Sequence, residues 1–133
     1  MAKKTTIKDN FSGQDAIIGI SSNEKIWKLA WELNRSLALN LEVPAPSAIL
    51  EGAEQGYEDR ESSGEFEFFL LENRPGKKKL PAIVKEFRFW FFLRPHKTAL
   101  PETQGWIDKI RKLPGIILAV DISGKIDSND WIA

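Results

Sequence analysis

Two aromatic-rich blocks, Phe66-Glu67-Phe68-Phe69-Leu70-Leu71 and Phe87-Arg88-Phe89-Trp90-Phe91-Phe92-Leu93, flank the turn-forming run Arg74-Pro75-Gly76-Lys77-Lys78-Lys79-Leu80-Pro81. Aromatic side chains suit the pleated surface of a strand, and proline with glycine between two such runs marks a reversal. The stretch predicts a β-hairpin that anchors the fold. Successive side chains of a strand point to opposite faces, so Phe66, Phe68 and Leu70 are expected to share a core face with Phe87, Phe89, Phe91 and Leu93. The other face is expected to carry Glu65, Glu67, Phe69 and Leu71 from one strand and Glu86, Arg88, Trp90, Phe92 and Arg94 from the next. It reads as charged at one end and aromatic beyond.

Upstream, Ala16-Ile17-Ile18-Gly19-Ile20 is a nearly continuous apolar run, the pattern of a strand buried on both faces. The spacing of Ser21 and Glu24 fits a capping box, which predicts a helix beginning there and ending near Leu39. Its apolar stripe is Ile26, Leu29, Ala30, Leu33 and Leu37, with Trp27 and Trp31 widening it. From Glu42 to Gly64 prolines, glycines and acids dominate. Within that stretch Ala48 to Tyr57 fits a short edge strand, since edges tolerate glycine and charge. Downstream, Trp106, Ile107, Ile110 and Leu113 repeat at helical spacing until Pro114-Gly115 stops the helix. Ile116 to Ile122 is a final buried strand.

Strand, helix, strand, strand, helix, strand is the split βαβ order of a ferredoxin-like α+β sandwich. The expectation is an antiparallel sheet with two helices on one face, plus an extra edge strand if residues 48–57 pair. The 133 residues suit a single domain spanning 1–133, with a polar leader over 1–12 and a tail over 124–133 that carries Trp131 and Ile132.

Nineteen basic and nineteen acidic residues cancel, and the sequence pI of about 6.6 lies far from that of a dedicated polyanion binder. The second aromatic block has Lys85, Phe87, Phe89 and Phe92 at the basic and aromatic positions of an RNA recognition motif. Glu86 and Arg88 stand where that pattern needs small residues, and Ala16 to Ile20 lacks the companion aromatic. Nucleic acid is therefore set aside as a partner. With no cysteine, disulfides, thiolate ligands and thiol nucleophiles are excluded together. The longest strictly apolar run, Trp90 to Leu93, falls far short of the roughly 20 residues of a membrane helix. No membrane segment is expected, and the location expected is cytoplasmic.

An open sheet face carrying Phe69, Leu71, Trp90 and Phe92 is larger than the apolar patches monomers leave uncovered. These four are the candidate interface of a homodimer. Between the first strand and first helix, Gly19, Ser21, Ser22 and Asn23 offer backbone N–H groups that suit an anionic ligand; Ser21, Ser22 and Asn23 are the candidate ligand residues. His96 is the single histidine, which leaves no histidine metal cluster. Glu58-Asp59 and the Glu65/Glu67 pair read as solvated acids, Lys77-Lys78-Lys79 as a solubilising turn. Arg74 and Arg94 fall at opposite ends of the hairpin. No catalytic, metal or cofactor site is assembled.

Three segments resemble the bacterial family named for its IPExxxVDY motif. Ile18-Gly19-Ile20-Ser21-Ser22 leading into Lys28-Leu29-Ala30-Trp31-Glu32-Leu33-Asn34 looks like its first strand and helix. Leu80-Pro81-Ala82 before the strand ending Phe91-Phe92-Leu93 looks like the naming motif, with Ala82 in place of its glutamate. Ile110 to Asp121 is similar to its closing helix and strand. The resemblance implies the α+β fold and its boundaries and names no reaction. The expectation is a non-catalytic interaction module that homodimerises through its open sheet face, with an unidentified protein or small-molecule partner. The alternative is a small-molecule-sensing regulatory domain, and an enzyme comes third, without a substrate to name.

Overall fold

The computed structural model describes residues 15–43, 53–73, 86–96 and 102–125. In chain order these form strand β1 (Ala16–Ser22), helix α1 (Ile26–Leu37), strands β2 (Ala53–Asp59), β3 (Phe66–Asn73) and β4 (Phe89–Pro95), helix α2 (Thr103–Arg111) and strand β5 (Ile116–Asp121). The architecture is α+β: an open five-stranded sheet in the order β2-β3-β4-β1-β5, antiparallel at every junction, with two helices. The expected hairpin is β3–β4, in a register that sets Phe69 opposite Phe92 and Leu71 opposite Trp90. The expected edge strand, Ala48 to Tyr57, is β2, which runs over Ala53–Asp59 and so continues two residues beyond the expected end; residues 48–52 lie outside the described residues. The leader, the Arg74–Pro81 turn and the Trp131 tail lie outside the described residues.

Both helices lie on one side of the sheet. Leu29 and Leu33 of α1 and Ile107 and Ile110 of α2 join one buried cluster with Ile18, Ile20, Phe68, Leu70, Phe89 and Phe91. Helix α1 packs on β2 and β3, and α2 packs on β5 and β1. Within this layer Phe68 and Phe91 stack at 6.0 Å, and Trp106 of α2 tilts against Phe68 at 5.3 Å. Two expectations for α1 are corrected. It is preceded by Lys25, which makes no side-chain cap, so the Ser21–Glu24 box is not formed; strand β1 runs on through Ser22 instead. Trp27 and Trp31 are 62% and 51% exposed rather than part of the core stripe. Lys28 and Arg35 each lie about 5 Å from the centre of the Trp31 ring, and both pair with the buried Glu32 carboxylate. Cation–π contact in water replaces burial for this indole.

The second sheet face holds its own buried cluster of Ile17, Phe69, Leu71, Phe87, Trp90, Phe92 and Ile122. Phe87 was expected on the helix side by alternation from Phe89. It precedes β4, and the bend at Arg88 turns it to the opposite face, where it covers Gly19. A Cβ placed on Gly19 would lie 2.6 Å from the Phe87 ring. Glycine at this central-strand position is thus required by close approach of a ring.

The two sheet edges are closed differently. Glu42 bridges Glu58 through paired backbone bonds of 2.9 and 2.8 Å, which covers the outer edge of β2. On β5 the register against β1 shifts between Ser21 and Ser22, leaving Ile117 as the extra residue of a bulge. The Arg111 guanidinium donates from Nε and Nη2 to the Ala119 carbonyl at 3.2 and 3.0 Å. Bulges and charges at an edge oppose pairing with another chain. Ile117 and Leu118 beside it are 65% and 45% exposed.

Replacing Arg111 with Ala is expected to raise concentration-dependent self-association above that of the parent chain in sedimentation velocity; equal sedimentation of the two across the concentration series would refute the guarding role. Gly19→Ala is expected to cost about 1–3 kcal/mol in urea unfolding, the usual range for overpacking. The loss should shrink when Phe87 is also truncated to Ala, because the double-mutant cycle isolates their contact.

Candidate functional site

The four residues expected on an open face are not at a surface. Phe69, Leu71, Trp90 and Phe92 are each at most 1% exposed. Their neighbours on that face include Phe87, Ile122 and the half-buried Val120. Over Phe69 stand two guanidinium groups, Arg60 at 4.9 Å and Arg94 at 5.7 Å from the ring centre. Arg60 is held by Glu58 and Glu67, and Arg94 by Asp15 at 3.0 Å. The charged end of this face therefore folds over its aromatic part. The expectation of an exposed interface at these side chains is corrected: they are core.

The turn after β1 is likewise committed to the fold. Ser21 is paired with Leu118 in the sheet. The Ser22 hydroxyl donates to the Gly115 carbonyl at 2.7 Å and accepts from the Glu24 N–H at 3.0 Å. Gly19 lies mid-strand between Trp90 and Val120. Asn23 alone of the three candidates is exposed. The Ser22 hydroxyl is engaged in tying β1 to the α2–β5 connection, and Ser21 lies within the β1–β5 ladder.

The structure instead brings together residues that sequence reasoning did not combine. A cavity of about 450 Å³ opens between the end of α1 (Leu37, Ala38, Leu39), the β2–β3 turn (Ser62, Ser63, Glu65), the start of β3 (Phe66, Phe68) and the start of α2 (Glu102, Trp106). That volume is within the range of small-molecule sites. Each wall has a local cause. Helix α1 ends because Ala38 takes a left-handed conformation, φ 59°, with its N–H bonded to the Asn34 carbonyl. The β2–β3 turn is set by Asp59, whose Oδ1 accepts the N–H groups of Glu61 and Ser62 at 3.1 and 2.9 Å while Oδ2 accepts that of Asn40 at 2.8 Å. One carboxylate thus joins the turn to the chain leaving α1. The floor is the outer edge of the core, where Phe66 lies 6.3 Å from Phe68 and Trp106 leans on Phe68. The His96 N–H closes the start of the hairpin by donating to the Glu65 carbonyl at 2.8 Å.

No family model, curated protein or solved structure matches this chain. Assignment of the site therefore rests on its geometry. Among the described residues no group of three or more His, Asp or Glu side chains is placed to hold a metal ion. The cavity walls offer two carboxylates, two hydroxyls and aromatic rings, a set suited to holding a molecule. Of this set Phe66, Phe68 and Trp106 were visible in the sequence as core positions and Glu65 as a solvated acid, while Ser62, Ser63 and Glu102 carried no signal; the half-buried indole serves both as packing and as lining.

Burial of Asp59 raises its carboxyl pKa, but hydrogen bonds from Asn40, Ser62 and Glu61 outweigh that and hold it below its ordinary 3.8. A carboxyl with a lowered folded pKa adds stability above its unfolded value and loses it as pH falls through the folded one. Asp59→Asn is expected to lower unfolding free energy by about 2 kcal/mol at neutral pH, the scale of hydrogen bonds to a charged acceptor. The gap between parent and variant should close on acidification below about pH 4, as checked by urea melts across that range; a gap that stays constant would show that charge on Asp59 is not what orders the turn.

Proposed function

We propose that this chain is a non-catalytic binding domain whose ligand site is the cavity bounded by α1, the β2–β3 turn and α2. The observation that carries this reading is a 450 Å³ recess with an aromatic floor and four polar side chains on its walls, at a place where three connections meet. Of the two leading expectations from sequence it develops the small-molecule-sensing one. Binding here bears on the relative placement of α1 and α2, which gives a ligand a means of altering the surface that the domain presents. The ferredoxin-like description, kinship with the IPExxxVDY family and a cytoplasmic location belong to the same proposal. The first is supported by the β5-β1-β4-β3 portion of the sheet, in which β1 lies between the strands that α2 connects. The second is supported by the likeness at Ile110 to Asp121, the segment that ends α2 and forms β5. No helix among the described residues is long and apolar enough to cross a membrane.

Self-association is a second reading, moved from the sheet face to the β5 edge. What favours it is the exposure of Ile117 and Leu118 beside that edge; the bulge and Arg111 oppose it. A parent chain that sediments as a monomer at every concentration tested would remove it.

Ligand binding at the cavity is expected to perturb the backbone amides of Ser62 and Ser63 and the Trp106 indole N–H in two-dimensional NMR, and Trp106→Ala is expected to weaken binding at least tenfold. A charge-diverse metabolite panel supplies the test. Hits whose shifts map away from these residues, or a panel without hits, would overturn the reading.

A further inference from the structure

We infer that the cavity ligand is a small organic cation, an amine or quaternary ammonium compound. This rests on the reading of the cavity as a ligand site and adds the chemical class. Among the described residues the titratable side chains that line the cavity are Glu65 and Glu102, both acidic and both exposed to solvent, and no described lysine, arginine or histidine joins them. An anion placed there would meet two like charges. A neutral apolar guest would strip water from carboxylates without replacing it.

The N-terminus of α2 is where an anion would ordinarily be favoured, but the Glu102 carboxylate already occupies the space over that first turn, with Oε1 only 3.1 Å from the position of a Cβ on Gly105. The chain supplies its own anion there. Helix α1 presents its other pole to the same cavity: Leu37 and Ala38, its last residue and its C-cap, line the wall, and the carbonyls of a final helical turn are left without intrahelical partners. The negative end of a helix dipole favours positive charge.

Phe66, Phe68 and Trp106 offer ring faces and edges, and a cation held against such rings gains from their quadrupole, most of all with tryptophan. Lys109 Nζ already lies 5.2 Å from the Trp106 ring centre, so a ligand cation takes the part of that indole which Lys109 leaves open. The Ser62 hydroxyl adds an acceptor suited to an ammonium N–H or a ligand hydroxyl, while Ser63 Oγ already accepts the N–H groups of Glu65 and Phe66 at 3.0 and 3.2 Å. Two carboxylates, the C-terminal end of α1 and an aromatic floor together form a site matched in sign to a compact ammonium head.

The test titrates three probes of nearly equal size into the full chain at fixed ionic strength: choline, its neutral isostere 3,3-dimethylbutan-1-ol, and the anion isovalerate. The readout is the Trp106 indole N–H and the Ser62 and Ser63 amides by NMR. Saturable shifts with choline, at least tenfold weaker with the alcohol and absent with isovalerate, are expected. The double variant Glu65→Gln with Glu102→Gln, which keeps side-chain shape, should lose at least tenfold in choline affinity while keeping the parent spectrum elsewhere. If the alcohol or isovalerate binds as tightly as choline, or the double variant binds choline unchanged, the cation assignment fails and the cavity remains a ligand site. If none of the three moves these resonances, the cation assignment fails outright. The charge-diverse panel then decides separately whether the cavity binds anything.

Discussion

Everything in this fold depends on burying β4 from both sides. Phe89, Trp90, Phe91, Phe92 and Leu93 follow one another without a polar residue, and all five are fully buried. Because neighbours in a strand point to opposite faces, such a run is stable only if both faces of the sheet are covered. The helices supply one cover. On the other side Phe87 closes over Gly19, Ile122 arrives from the end of β5, and the Arg60 and Arg94 guanidinium groups close over Phe69. An aromatic side chain buries on the order of 150–250 Å², so leaving Trp90 and Phe92 in water would forfeit several kcal/mol at about 25 cal/mol per Å². That magnitude outweighs the modest worth of the ion pairs that fasten the cover, about 1 kcal/mol or less each where partly exposed. The charges position the lid, and the apolar burial beneath it supplies the stability.

The edges present the opposite problem, since unpaired backbone invites a foreign strand. At β2 the segment leaving α1 returns two hydrogen bonds and ends the sheet within the chain. At β5 the remedy is a side chain: Arg111, the last residue of α2, reaches the Ala119 carbonyl with two donors. A bidentate guanidinium suits this task because its fork is rigid and always charged. The same helix that covers the core thus also guards the edge. Removing the arginine leaves the core contacts of α2 through Ile107 and Ile110 in place.

The strand and helix order was legible in the sequence because each element carries its own period. The hairpin, α1, α2 and the closing strand all fall where hydrophobic spacing puts them, with ends adjusted by a few residues. The cue to the covered second face was legible as well. Ala16 to Ile20 reads as buried on both sides, and Phe89 to Leu93 has the same continuous character, so it belongs to the same class of strand. Strict alternation across the hairpin hides this by assigning Phe69, Leu71, Trp90 and Phe92 to an exposed face. Phe87 departs from alternation because it lies before the ladder begins. Trp31 escapes the stripe because Lys28 and Arg35 give its indole partners in water; nothing in the structure explains the exposure of Trp27. The cavity had no sequence signature, since its walls come from residues more than sixty positions apart, from Leu37 to Trp106, brought together only by the crossovers.

The origin of that cavity is a gap in the cover over β3. Helix α2 packs on β5 and β1 and leans on β3 through Trp106, in its first turn. Helix α1 does not close that gap near the start of β3, because Ala38 turns the chain away there toward the edge of β2. What remains uncovered is the beginning of β3, where Phe66 and Phe68 stand, and the first turn of α2, where Trp106 leans over them. A recess produced this way has core rings for a floor. Its walls are helix termini and a turn, which set Ser62, Ser63, Glu65 and Glu102 around that floor. The polarity of the site follows from which ends meet there: the carbonyl end of α1 and an N-terminal turn of α2 already occupied by Glu102.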